Sequence, residues 1–395
     1  MILLASVLKP IDDTRMLGKF AYTLAAAGAR VAVAGRASAA SPPATENISQ
    51  HVIFQGQRLS LARLAAQGRY WRLLGQLRPA LVVVHAPELL PLTLLWWALG
   101  RDRQFIYDIR ENYALNVGTQ HVYQGATKRL LAAGLRWVEG LAARQAAAVL
   151  LAEASYADEL PFVQALPASR VLLLENKYQP APGERLPRQV RPLPAADEPI
   201  KLLYSGTISE LNGVREALAL AHNLSSSWPG AAELTIIGFC QQPGLLGQLQ
   251  VLIEQLAASS RLAVTLATGA EPVPHARIVA AMHQAHFGLL AYRPHPSTWR
   301  CRPTKLFEYL AHGLPVLTPD NPLWTSLMQA HGAGLVVDFA AAPAAAAAVV
   351  AALPTAHFYP AGVPTEAVLW ASEGKKLRLL LESLGLGPTF AAPFA

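Results

Sequence analysis

Short apolar runs alternate along this chain with longer stretches that are apolar on one side only. The first run is 2–8. Behind it, Met16, Leu17, Phe20, Ala21 and Leu24 recur at the spacing of one helix face. Asp12 or Asp13 stands where that helix needs a cap, and Gly28 where it must stop. Runs at 31–34, 81–85, 105–109, 148–151 and 171–174 predict further strands, with Ser155 capping a helix between the last two. The most apolar run, 89–99, is too short to span a bilayer and predicts a buried helix. Strand and helix in alternation predict a parallel sheet and an α/β fold.

Residues 179–199, QPAPGERLPRQVRPLPAADEP, are rich in proline and charge and read as a linker. Beyond them the alternation restarts at Lys201, with strands expected at 234–238, 262–266, 287–292, 314–318 and 334–338. Residues 340–352 predict an alanine-rich helix and 365–384 a final one. The chain then divides into a first domain at 1–178, a linker at 179–199, a second domain at 200–362 and a closing helical segment at 363–387.

Composition narrows the partners. With 395 residues, 52% of them apolar, the chain can bury two cores and is not disordered. A formal charge of +7 suits phosphorylated substrates, anionic lipid or nucleic acid. No basic run with interleaved aromatics and no nucleic-acid motif occurs, so nucleic acid is not expected as a partner. Two cysteines far apart, Cys240 and Cys301, fit a reducing compartment. The first apolar run leads into Lys9-Pro10-Ile11-Asp12-Asp13 without a cleavage site, so it reads as a strand and not as a signal peptide. The expected location is the cytoplasm, in solution or peripheral on the inner face of the membrane. Residues 127–146 predict a helix with Lys128, Arg129, Arg136 and Arg144, either a solvated basic face or one that touches anionic lipid. No His, Cys or carboxylate set has convincing ligand spacing, apart from Asp12-Asp13, which capping explains as well. Neither a metal nor another cofactor is expected.

The candidate chemistry concentrates at 299–316, WRCRPTKLFEYLAHGLPV. Pro303 is pre-set for the first turn of a helix, Gly313 supplies a left-handed end, and Pro315 prevents resumption. Leu306, Phe307 and Leu310 share one side of that helix, and Lys305, Glu308 and His312 the other. Arg300, Arg302 and Lys305 crowd the amino-terminal end, where the helix dipole disfavours cations. An anion on the N–H groups of the first turn would relieve that conflict. The expectation is a phosphate or diphosphate site, with Glu308 one turn further in as acceptor for sugar hydroxyls.

The segment PTKLFEYLAHGLPVL resembles the donor-binding segment of family-4-type glycosyltransferases, which have the two-domain GT-B fold. The resemblance implies two doubly wound Rossmann-like domains facing across a cleft, the second binding a nucleotide-sugar donor. It implies sugar transfer from a nucleoside-diphosphate-sugar to an acceptor hydroxyl on a glycan or lipid-linked glycan, with retention and without metal. The family's ribose-binding Glu falls on Glu308, while an earlier Glu that touches the donor sugar is replaced by Arg300. LLYSGTISELNGVREAL resembles the first unit of the nucleotide-binding domain, where a glycine turn lets the backbone approach the donor phosphates. The Lys that many members carry in that turn is Asn212 here, so the cation falls to Lys305 with Arg300 or Arg302. Residues 268–275 take the place where relatives cradle the base. The implied donor-binding set is Gly206, Thr207, Gly238, Arg300, Thr304, Lys305, Leu306 and Glu308.

In the first domain, YDIRENY at 107–113 resembles a D-x-x-E-x-Y segment that borders the acceptor side, with Arg110 in place of the usual His. Asp108, Glu111 and Arg15 are the catalytic candidates, and Asp13, Lys19 and Arg110 the acceptor-side ones. Asp108 as a structural carboxylate and Asp13 as a plain cap stay equally open. His85, at a strand end, reads as a satisfied polar residue. The loop that carries Asp13 follows the carboxyl end of the first strand, the ligand end of such sheets, so it is expected to face the second domain. In this fold the last helix crosses back to the first domain, which suits Trp370 with Lys375 and Lys376. Two other readings stay open: a nucleotide-sugar epimerase or hydrolase of the same fold, and a non-catalytic member that binds the nucleotide-sugar.

Overall fold

A computed structural model describes residues 1–38, 45–56, 60–119, 125–187, 190–269, 273–296 and 298–386. The chain forms two compact units, Met1–Gln179 together with the chain from Trp370 on, and Pro180–Leu369. The proline-rich stretch expected as a linker belongs to the second unit. There Arg191 donates to the carbonyl of His283 at 3.1 Å, and Glu184 lies 3.2 Å from His312.

The first unit is built on seven strands: β1 (Ile2–Pro10), β2 (Val31–Arg36), β3 (Ile48–Phe54), β4 (Leu81–Val84), β5 (Gln104–Ile109), β6 (Ala148–Leu151) and β7 (Val171–Leu173). Their order is β3-β2-β1-β4-β5-β6-β7, and every neighbouring pair is parallel. Strand β3 was not expected. It lies at the sheet edge, where Gln50 and His51 interrupt the apolar run and only Ile53 and Phe54 are buried. Asp13 caps the following helix, accepting from the N–H groups of Arg15 and Met16 at 3.0 and 2.9 Å. That helix is wound as a π-helix over Thr14–Ala21 and continues as an α-helix over Tyr22–Ala26. Ser155, expected as a cap, makes no capping hydrogen bond. The helix Leu90–Ala98 buries Leu90, Thr93 and Trp96 but leaves Leu95 47% exposed, so it is a surface helix and not a buried one. The closing segment breaks at Leu369, whose extended backbone separates Thr365–Val368 from Trp370–Ser383. Trp370 enters the first unit's core against Phe20, and its indole donates to the Thr23 hydroxyl at 2.9 Å.

The second unit carries six strands: β8 (Ile200–Thr207), β9 (Ala232–Phe239), β10 (Leu262–Gly269), β11 (Phe287–Leu289), β12 (Val316–Thr318) and β13 (Gly334–Val336). The order is β10-β9-β8-β11-β12-β13, again parallel throughout. Both sheets are Rossmann-like, and each reverses its strand order beside its first strand. In the second unit that reversal lies between β8 and β11. The helix Thr304–Ala311 is fastened there by Tyr309, whose hydroxyl lies 2.8 Å from the Ser205 hydroxyl of β8. Gly288 of β11 makes room for the Tyr309 ring, since a Cβ at that position would come within 2.6 Å of it.

Candidate functional site

The strand ends beside the reversal in the second unit are bare backbone. Gly206 has φ 91° and Gly238, its partner on β9, φ 153°. A Cβ on Gly238 would stand 1.8 Å from the Gly206 carbonyl, which closes Gly238 to side chains, while at Gly206 it is the positive φ that disfavours one. Thr207 ends β8. The loop after it lies directly on the end of β11: a Cβ on Gly213 would meet the Ala291 carbonyl at 1.6 Å. Asn212 staples that loop by donating to the Thr207 carbonyl at 3.0 Å.

Over Gly206 hangs Lys305. Its ammonium is 4.8 Å from the ring centre of Tyr204 and 5.1 Å from that of Tyr292. It has no hydrogen-bond or ion-pair partner among the described residues. Burial pushes its pKa down to about 8, against the opposing charge of Glu308. Two ring faces attract a cation by roughly 0.5–2 kcal/mol each but neutralise nothing. The ammonium is therefore desolvated, held and unpaired, which is the condition of a site built for an anion.

The helix that carries Lys305 is buried nearly all round. Leu306 through Ala311 are buried, including Glu308, so the polar side of this helix is not an ordinary solvated face. Pro303 is the cap and not the first helical residue. Thr304 is exposed, whereas Leu306 is fully buried and can offer a ligand only its backbone. Glu308 directs Oε1 at Nε2 of His275, and its other oxygen has no hydrogen-bond partner among the described residues. That hydrogen bond raises the His275 pKa, with burial opposing. The loop before the helix is fixed by Asn321, which donates to the Trp299 carbonyl, and by the Trp324 indole, which donates to the Cys301 carbonyl, both at 2.7 Å. Arg300 on that loop is exposed and Arg302 half-buried. In the segment expected to cradle a base, residues 270–272 lie outside the described residues.

In the first unit the expected residues form two clusters. Arg15, expected among the catalytic residues, is enclosed in the first of the two. It is 1% exposed, with Nε and Nη2 donating to both oxygens of Asp108 at 2.9 and 2.7 Å and Nη1 to the Leu174 carbonyl at 3.0 Å. With three of its five N–H donors committed and almost no exposure, this guanidinium offers a substrate no accessible donor. Asp108 is equally enclosed and also meets Nδ1 of His85 at 2.7 Å. Burial works against its ionisation, but Arg15 and His85 hold the carboxyl below the usual range. Lys19 is buried too, donating to Asn176, with its ammonium 5.8 Å from the Trp370 ring centre. These three belong to the framework of the first unit. The second cluster is more open. Arg110 grips Asp13 through two hydrogen bonds of 2.8 and 3.0 Å, and Glu111, whose side chain is 39% exposed, pairs with Lys9 at 3.0 Å. Of the three catalytic candidates, Glu111 alone presents its carboxylate to solvent.

Sequence reasoning missed Tyr204 and Tyr292 around Lys305, and His275 on Glu308. Tyr204 lies inside β8 and Tyr292 beyond the end of β11, so no local pattern marked either one.

Residues 14–177 match the glycosyl transferase 4-like domain family. No curated protein matches the chain by sequence. Among solved structures, the chain is similar to sucrose-phosphate synthase from Thermosynechococcus elongatus, with 16% identity, 97% of this chain and 98% of that one covered, and a TM-score of 0.66. It is similar to Anabaena HepE in complex with UDP and glucose, with 15% identity, 97% and 99% coverage, and a TM-score of 0.63. A third likeness is to the lipopolysaccharide outer core galactosyltransferase WaaB, with 13% identity, 97% and 100% coverage, and a TM-score of 0.62. These likenesses extend over both units.

Proposed function

We propose that this chain is a glycosyltransferase of the GT-B fold, with a glycosyl transferase 4-like domain at 14–177, and that its second unit binds a nucleoside-diphosphate-sugar through Lys305 and Glu308. The observation that carries this reading is the unpaired Lys305 ammonium, held by two tyrosine rings above Gly206 at a topological switch point. The diphosphate takes that ammonium, with Thr304 and backbone groups of the loops around Gly206 and Gly238 beside it. Glu308 accepts from ribose hydroxyls. Negative charge grows on the diphosphate as the sugar leaves, and a preorganised cation in a desolvated pocket stabilises that charge most where it develops. In this reading Lys305 does the work that a metal does in other transferases. Transfer then needs no divalent ion and retains anomeric configuration. Solved neighbours that bind UDP and UDP-glucose make uridine nucleotides the first donors to try.

The acceptor belongs to the first unit in this reading, with Glu111, Lys9, Asp13 and Arg110 as its polar groups. We assign it to the glycan or lipid-linked glycan class. The helix Gly125–Gln145 supports the lipid-linked form: it exposes Leu130, Leu131, Trp137 and Leu141 beside Arg129 and Arg144. An apolar stripe flanked by cations suits peripheral contact with anionic lipid. Among the described residues, no helix is long and apolar enough to cross a membrane.

The test is calorimetric titration with UDP, ADP and GDP, followed by product analysis with the matching sugar nucleotides and lipid-linked acceptors. At least one nucleotide binds, sugar moves to acceptor, and turnover survives exhaustive EDTA. Failure of all three nucleotides to bind overturns the donor site. Loss of turnover with EDTA, restored by Mg²⁺ or Mn²⁺, overturns the metal-independent mechanism.

A further inference from the structure

The contact between His275 and Glu308 sits on the carboxylate assigned to ribose, and nothing so far uses it. His275 opens the helix His275–Gln284, a place where the helix dipole disfavours an imidazolium. Glu308 reverses that preference. The side chain of His275 is 47% exposed and that of Glu308 only 11%, so the imidazole stands on the rim and the carboxylate inside it. Other charged groups face the pair. Lys305 lies on the same helix as Glu308, whose charge favours the ammonium. Glu184 favours an imidazolium at His275. His312 ends the Glu308 helix, with His283 against it at 3.1 Å. Burial holds His312 below its ordinary value.

We propose that His275 occupies, in the empty protein, the place on Glu308 that a ribose hydroxyl takes in the complex, and that binding of a nucleoside diphosphate displaces it and releases its proton to solvent. The inference rests on the reading of Glu308 as the ribose acceptor. A carboxylate only 11% exposed has little surface for an imidazole and a ribose together, and both approach it as donors. Displacement costs little burial because His275 is already half in water. Donor affinity then has an acid limb, weak where the imidazolium holds Glu308 and stronger once it is neutral. Lys305 supplies the opposite limb, where its ammonium loses the proton.

The experiment titrates UDP into the full chain, parent and His275→Gln, by calorimetry in two buffers of different ionisation heat, from about pH 5.5 to 8.5. Glutamine keeps an amide that can donate to Glu308 but does not titrate. The terminal phosphate of UDP itself titrates near pH 6, equally in both proteins, so the difference between them is the readout. Near pH 6.5 the parent releases more protons per UDP than the variant, by up to about one. Between about pH 5.5 and 7.5 its Kd tightens about tenfold more than that of the variant, tenfold being one unit of imidazole pKa lost on binding. Equal proton release and parallel profiles, with UDP bound in both, overturn the inference and leave the donor site standing. Absence of binding by UDP, ADP and GDP overturns both.

Discussion

Replacing Lys305 by methionine sets stability against binding, because the same ammonium is unfavourable in the empty protein and required in the complex. Burial lowers its pKa from 10.5 to about 8. A fall of roughly 2.5 units corresponds to about 3 kcal/mol against the charged form, of which the two tyrosine faces return about 1–2 kcal/mol. The sign follows from proton binding. Between about pH 8 and 10.5 the unfolded chain binds this proton more tightly than the folded one, so stability rises with pH across that window. Below it, the folded protein carries the full penalty. Methionine fills a similar volume with no charge and adapts to an irregular pocket. Near neutral pH the Lys305→Met protein is therefore expected to be more stable by about 1–2 kcal/mol, a melting temperature higher by roughly 2–8 °C for a unit of this size. Its UDP affinity is expected to fall by about 1.5–3 kcal/mol, or roughly 10- to 150-fold, from loss of a charge-assisted contact. Differential scanning calorimetry from about pH 7 to 10.5 measures the first effect and titration calorimetry the second. A variant less stable than its parent at every pH, with parental UDP affinity, would refute the argument for an anion site.

Glu308→Gln is expected to weaken UDP by about 1.5–3 kcal/mol with little change in melting temperature; parental affinity in a titration would remove Glu308 from the ribose. Arg15→Ala leaves the Asp108 carboxylate buried without its main partner and should cost about 3–5 kcal/mol, read from urea unfolding. If instead it unfolds like the parent while turnover collapses, the framework role assigned to Arg15 is wrong. Gly213→Ala forces a side chain into a left-handed residue and against the Ala291 carbonyl, and should cost at least about 1–3 kcal/mol of stability in a thermal melt. A neutral result there would mean the loop does not lie on β11 as described.

Local periodicity made most of the fold legible. The strands of β1, β2, β4, β5, β6 and β7 announce themselves as apolar runs, and Asp13 as a cap followed by a helical stripe. Strand β3 does not, because an edge strand with Gln50 and His51 in its middle lacks the run that burial on both faces imposes. The site was legible where it is local, in the helix from Thr304 and its Gly313 stop. It was not legible where side chains meet across the fold. Tyr204 lies 101 residues before Lys305. His275 lies 33 residues before Glu308, and Asp108 93 residues after Arg15. Arg15 misled most: a cation in a first helical turn points to an anion, and the anion proved to be a buried carboxylate two strands away in the same sheet.

The closing helix gives the first unit an order of assembly that its sheet does not reveal. Glu373, fully buried, takes the ammonium of Lys177 at 2.8 Å and the N–H of Glu175, and Trp370 covers Arg15, Lys19 and Phe20. On a ribosome, residues 1–179 emerge long before these partners exist. The intervening second unit, Pro180–Leu369, takes roughly 10–40 s to synthesise at bacterial and eukaryotic elongation rates. Through that interval the nascent first unit carries an uncapped apolar face and a lysine without its carboxylate, while the second unit, continuous in sequence, is free to finish. The unit that begins the chain is thus the last to close, and a chain stalled or cut before Trp370 would leave the second unit intact and the first one exposed to aggregation and proteolysis.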